Sequence, residues 1–191
     1  MANPTHLDRL HQGVDAWNTW RDAEPDTRPD LEDADLSGRN LTNINLKRAN
    51  LQGARLHKTF LTVADLEDAD LTGADLTKTN LTGAHLDRAR LRRARMQHAD
   101  LGFATLNEAD LTGADLSDAH LLEALLFGAN LRGVVARRAK FREAILTGAD
   151  LTGADLTDAD LIGATLDGAT LDGASLPPLF NQGEEDWKRE A

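Results

Sequence analysis

Carboxylates are the groups best placed to do chemistry in this chain. Asp-Ala-Asp occurs at 33–35, 68–70 and 158–160, a spacing that sets two carboxylates side by side as a cation site would need. Calcium, however, takes six to eight oxygens from a loop folded around it, and no such loop is visible. The same groups can stand in for DNA phosphates. Between Arg142 and Lys188 there is no Lys or Arg, while Asp150, Asp155, Asp158, Asp160, Asp167 and Asp172 follow one another. These six make a candidate acidic, DNA-mimicking surface, against the plainer reading of a solvated acidic face. Arg90, Arg92, Arg93 and Arg95 form a basic cluster, and Arg132, Arg137, Arg138, Lys140 and Arg142 form another. No aromatic residue interleaves them for base stacking. His57, His85, His98 and His120 are not spaced to share a metal. No G-x-S-x-G, P-loop or HExxH motif is present. The residues therefore imply no enzyme, no metal and no cofactor.

The elements that carry these groups are set by a repeat. From Leu31 to Leu176 the sequence repeats every five residues without a slip in phase, as in ADLTGADLT at 69–77 and 149–157. The leucine position changes only at Met96, Ala136 and Phe141. Ala sits two places earlier, with exceptions at Arg39, Ile44, Thr59, Thr79 and Val134. A helical period of 3.6 or a strand period of 2 cannot keep Leu on one side through so many steps. A coil that turns a corner every five residues can. Leu and the preceding Ala then point inward and the other three positions point out. Gly recurs two places after Leu (Gly53, Gly73, Gly113, Gly153), where a type II turn requires positive φ.

Composition agrees with a narrow, cysteine-free rod. The 191 residues contain no Cys and no Tyr and carry a formal net charge of −11. That excludes disulfides and thiolate metal sites and disfavours direct nucleic-acid binding. No apolar run approaches a membrane span and no signal-peptide core is visible, so a cytoplasmic location is expected. Residues 1–30 read as an N-terminal helical cap and linker. Asn3 is the expected N-cap, Pro4 the first helical residue, and one helix over 3–22 aligns Leu7, Leu10, Val14 and Trp17. Residues 177–191 form a C-terminal tail, in which Leu179 and Phe180 are expected to cover the last coil or pair with a second molecule, while Phe180 or Trp187 is the alternative cover for apolar residues at outward positions of the repeat.

The A(D/N)LxG unit over 31–176 resembles the pentapeptide-repeat family. The resemblance implies an all-β solenoid, a right-handed quadrilateral β-helix of about 30 repeats with four per coil. The segment 6–21 looks like the capping α-helix of some bacterial members. Four repeats per coil would stack positions 20 apart. Asp35, Arg55, Asp75, Arg95 and Asp115 then alternate in sign, as do Arg48, Asp68, Arg88 and Glu108, and also Asp118, Arg138 and Asp158. Lys58 over Lys78, Glu67 over Asp87 and Glu123 over Glu143 break the rule.

Apolar residues at outward positions are what the repeat leaves unexplained. Phe60, Val63, Phe103, Leu122 and Ile162 fall on one side and Leu125, Phe127 and Ile145 on the next. Contiguous exposed apolar surface marks contact sites, so these eight are the candidate protein-contact patch. The favoured function is a non-catalytic, rigid protein-binding scaffold with an unidentified protein partner, and a homodimer through the patch or the C-terminal end is a further option. The alternative comes from the resemblance. Resistance members of the family protect DNA gyrase with an acidic, DNA-mimicking dimeric rod, but several carry loops that this unbroken repeat lacks.

Overall fold

The computed structural model describes residues 1–178. The tail residues Leu179, Phe180 and Trp187 lie outside that range. Parallel bridges join residues 20 apart without interruption, from Asp30 with Asn50 to Asp155 with Ser175. Four β-turns close each coil. Each is held by the N–H of the inward Ala position donating to the carbonyl of the preceding Leu position, as Ala74 N–H does to Leu71 O at 3.0 Å. The four sides are named here by their order in the coil. The first runs through Asp30, Asn50 and Asp70, the second through Asp35, Arg55 and Asp75, the third through Asn40, Phe60 and Asn80, and the fourth through Asn45, Asp65 and His85. At the spacing of paired strands, the roughly seven coils make a rod on the order of 36 Å long.

The second residue after each Leu position has positive φ at every step from Asp33 to Gly173. This is the left-handed second corner of a type II turn. Glycine fills it at Gly73 and Gly153, while many others are occupied by Asp, Asn, Lys, Arg or Glu. The Asp or Asn one place before Leu explains how such turns hold. Its Oδ1 accepts the N–H two residues on, as Asp75 does from Thr77 at 3.1 Å and Asn80 from Thr82 at 2.9 Å. The consensus carboxylate is thus a turn cap.

Inside, Leu and Ala alternate in a stack that is buried through most of the rod. Thr59 and Thr79 replace Ala without leaving an orphan hydroxyl, because they donate to Leu36 O at 2.8 Å and Leu56 O at 2.6 Å. Ala136 and Phe141, both buried, occupy neighbouring sides of one coil, a small residue beside a large one in a core of fixed cross-section.

The N-terminal segment differs from the single helix expected. It forms two, α1 (Pro4–His11) and α2 (Val14–Ala23). Gly13 separates them at φ 104, ψ 170, a conformation open essentially to Gly. Asn3 caps α1 by accepting from Thr5 N–H at 2.9 Å. Leu10, Trp17 and Trp20 are buried in the same core as the solenoid leucines. The two helices also satisfy the open backbone of the first coil. His6 Nδ1 accepts from Asp30 N–H at 2.9 Å, and Asn18 accepts from Asn45 N–H and donates to Asn43 O, each at 2.9 Å. Trp17 Nε1 donates to Asn45 O at 2.7 Å. Buried Arg21 ties the linker down, donating to Thr27 O at 2.5 Å and Lys47 O at 3.2 Å.

Candidate functional site

The third corner, made by the turns after Leu41, Leu61, Leu81, Leu101, Leu121, Phe141 and Leu161, departs most from the repeat. Its left-handed positions include Val63 (φ 56) and Phe103 (φ 60). A β-branched or bulky residue there carries a steric penalty of about 1 kcal/mol or more. Both side chains nevertheless face solvent, Phe103 at 53% exposure. Beside them in the stack stand Leu122 and Ile162, also exposed. Gly102, one coil before Leu122, is buried. Phe60 is exposed on the third side next to this corner.

The patch continues round the fourth side. Leu125 and Ile145 are bridged neighbours. Leu125 is half-buried rather than exposed, because Thr105 and Ile145 flank it in the ladder. An apolar residue here cannot cap its turn, and the coil before supplies the cap: Asn107 Oδ1 accepts from Phe127 N–H at 3.1 Å. Phe127, 54% exposed, ends the patch at the fourth corner. The ridge of the third corner is therefore interrupted: Phe103, Leu122, Leu125, Phe127 and Ile145 lie on consecutive coils, with a shelf across the fourth side from Leu122 to Ile145, while Phe60 and Val63 are set apart by the coil of Gly83 and Ile162 by the coil of Arg142. At its far end Ile162, with Asp158, Asp160, Pro177 and Pro178, lines a cavity of about 540 Å³.

The six acidic candidates are not gathered in the same way. Asp150 lies on the first side, Asp155 on the second and Asp160 on the third. Asp158, Asp167 and Asp172 sit in turns at three different corners. Asp150, Asp155 and Asp160 cap their turns and bind Arg132 (3.0 Å), Arg137 (2.5 Å) and Arg142 (3.4 Å). The Thr152 hydroxyl and N–H, with Arg132, bring Asp150 down to about 2. Thr157 and Arg137 lower Asp155.

Most of the two basic clusters resolve into ion pairs, with Arg93 and Lys140 left without a carboxylate partner among the described residues. Some follow the 20-residue stack: Arg55 with Asp35 (2.9 Å), Arg95 with Asp75 (2.7 Å) and Arg138 with Asp118 (2.6 Å). Arg92, Arg132, Arg137 and Arg142 instead reach a carboxylate 18 residues on. That is a diagonal from the first turn position of one coil to the strand residue of the next. The diagonal escapes a search for directly stacked positions, although Arg-x₁₇-Asp recurs in the sequence. The expected contacts Arg55 to Asp75 and Arg95 to Asp115 do not form; each arginine turns to the earlier coil. His57, His85, His98 and His120 stand apart. Among the described residues, no three His, Asp or Glu side chains converge on a point that would hold a metal. No helix among them is long and apolar enough to cross a membrane.

The family model for pentapeptide repeats matches residues 30–68, 64–102, 94–133 and 137–173. The chain belongs to the pentapeptide repeat family. Among solved structures, this pentapeptide repeat protein is similar to Rfr23 from the cyanobacterium Cyanothece 51142. The two share 29% identity over 56% of this chain and 87% of the other, with a TM-score of 0.55. It is also similar to HetL, a pentapeptide repeat protein involved in heterocyst differentiation regulation in Nostoc sp. PCC 7120. There the identity is 30% over 84% of this chain and 96% of that one, with a TM-score of 0.31. Full-length QnrB1, a plasmid-mediated fluoroquinolone resistance protein, matches at 18% identity over 85% and 90%, with a TM-score of 0.38. No curated protein matches by sequence. The family and the likeness to Rfr23 together make the solenoid a right-handed β-helix.

Proposed function

We propose that this pentapeptide repeat protein is a rigid, non-catalytic scaffold that docks another protein on the ridge of the third corner. The observation that carries the reading is the pair Val63 and Phe103. Each is apolar, exposed and held in left-handed backbone, where Gly or Asn would fold more cheaply. A convex rod filled with Leu and Ala suits binding rather than catalysis, which needs converging groups in a sheltered pocket. The test is affinity capture from lysate of the source organism with wild-type protein and with Phe103→Asn/Leu122→Ser/Ile145→Ser. The variant is expected to lose a partner that wild type retains. An identical set of captured proteins would sink the proposal.

A second reading, DNA mimicry directed at gyrase, is supported by the net charge of −11 and the cation-free run after Arg142. It is weakened by the placement of the six aspartates on different sides and by the three arginines that neutralise half of them. It requires purified protein to relieve fluoroquinolone-stabilised gyrase cleavage. No effect at micromolar excess contradicts it.

A further inference from the structure

The charges set into the ridge describe what docks there. Glu123 and Glu143 occupy the same left-handed column of the third corner as Val63 and Phe103, at φ 52 and φ 57. They follow each other 20 residues apart, hence about one strand spacing. Glu123 adjoins Leu122 in the chain, and Glu143 lies two residues before Ile145. Stacked like charges are destabilising. The other stacked acid pair, Glu67 over Asp87, is neutralised: Lys47 and Arg88 bind Glu67, and Thr105 donates to Asp87 at 2.6 Å. Among the described residues, neither Glu123 nor Glu143 has an ion-pair partner. Arg142, the cation beside them in sequence, reaches away to Asp160 at 3.4 Å. Room is kept for this arrangement: a Cβ on Gly163, one coil on, would stand 3.0 Å from Glu143 Cγ.

Resting on the reading of the ridge as a docking face, we infer that its partner is a protein segment presenting Lys or Arg side chains beside apolar ones. The apolar residues lie on Phe103, Leu122, Leu125 and Ile145, and the cations sit on Glu123 and Glu143. A second copy of this chain fits poorly. A two-fold contact centred between Leu122 and Ile145 would bring four carboxylates together. The nearest cation without a carboxylate partner among the described residues is Lys140 on the third side, and one from each copy leaves the contact short of positive charge. Lys58, Lys78 and Arg93, also without such a partner, project from the first and second corners instead. An anionic membrane is repelled by the same two glutamates.

The test uses the full chain and two labelled helical peptides with leucines along one face, one otherwise lysine-rich and one otherwise glutamate-rich. Binding is read by fluorescence anisotropy. Wild type is expected to bind the Leu/Lys peptide and not the Leu/Glu peptide. Glu123→Gln/Glu143→Gln should weaken that binding at least tenfold, while Asp33→Asn/Asp172→Asn, which removes two carboxylates at the first corner, should change it less than twofold. Equal loss in the two variants means general attraction to an acidic rod and overturns the inference. So does binding of both peptides. If both bind and Leu122→Ser/Ile145→Ser abolishes both, the docking face stands and only its basic partner is lost. A dimer by sedimentation that Leu122→Ser dissociates makes a second copy the occupant and also overturns it. Because the Glu→Gln changes are exposed and isosteric, unchanged circular dichroism accompanies the expected result.

Discussion

An aspartate at the position before Leu in this rod is engaged with its own chain before any partner arrives. Oδ1 of the residue before Leu closes the turn, and Oδ2 frequently receives an arginine or a glutamine, as Asp115 does from Gln97 at 2.7 Å. These contacts favour the ionised form. Arg55 lowers Asp35 and Arg138 lowers Asp118, while Thr152 and Arg132 hold Asp150 at about 2. The unfolded carboxyls titrate near about 3.9, so their stabilisation is complete above that value and is lost as pH falls through the folded values. Thermal melts are therefore expected to show a midpoint flat above about pH 5 that declines from about pH 4 to 2. A midpoint unchanged down to about pH 2 would contradict this account of the carboxylates. The left-handed positions give a prediction of opposite sign. Phe103→Gly should raise stability by about 1 kcal/mol in denaturant melts, since it relieves backbone strain and removes an exposed ring. Loss of stability would show that Phe103 packs into the fold instead of serving an outside contact.

At the scale of elements, a coil with a corner every five residues was legible in the inward positions, whereas four corners per coil came from the resemblance to the family. With four repeats per coil supplied by the resemblance, the 20-residue stack of Asp35 on Arg55 and Asp75 on Arg95 followed from spacing. The diagonal ion pairs did not, because they depend on side-chain reach rather than backbone register. The helix break was hidden for another reason: Leu10, Val14 and Trp17 keep helical spacing across Gly13, and only the backbone shows that the chain changes direction there. Gly13→Ala is accordingly expected to cost about 1–3 kcal/mol, read as a lower urea midpoint, and to loosen the seating of Trp17 and Asn18 on the first coil. A neutral effect would mean that α1 and α2 can fuse without losing their contacts. The ridge was visible as apolar residues in outward positions. Spacing alone, however, makes Leu125 as exposed as Leu122 and does not reveal how far its ladder neighbours Thr105 and Ile145 cover it.

For the whole molecule, stability is distributed through stacked coils, each in contact mainly with its neighbours. A rod of this kind can give up local stability at one corner without losing its shape. The third corner does so at Val63 and Phe103, and the shelf from Leu122 to Ile145 sets apolar surface beside two unneutralised glutamates. Ion pairs and turn caps account for most of the remaining charge. The central claim is that this corner, and not the opposite face of the rod, meets another protein. Site-specific photo-crosslinking in the source organism tests it most directly, with the crosslinker placed at position 122 or at position 112 on the first corner. A discrete adduct is predicted at position 122 and none at 112. Adducts of equal yield at both positions, or at 112 alone, would contradict the account.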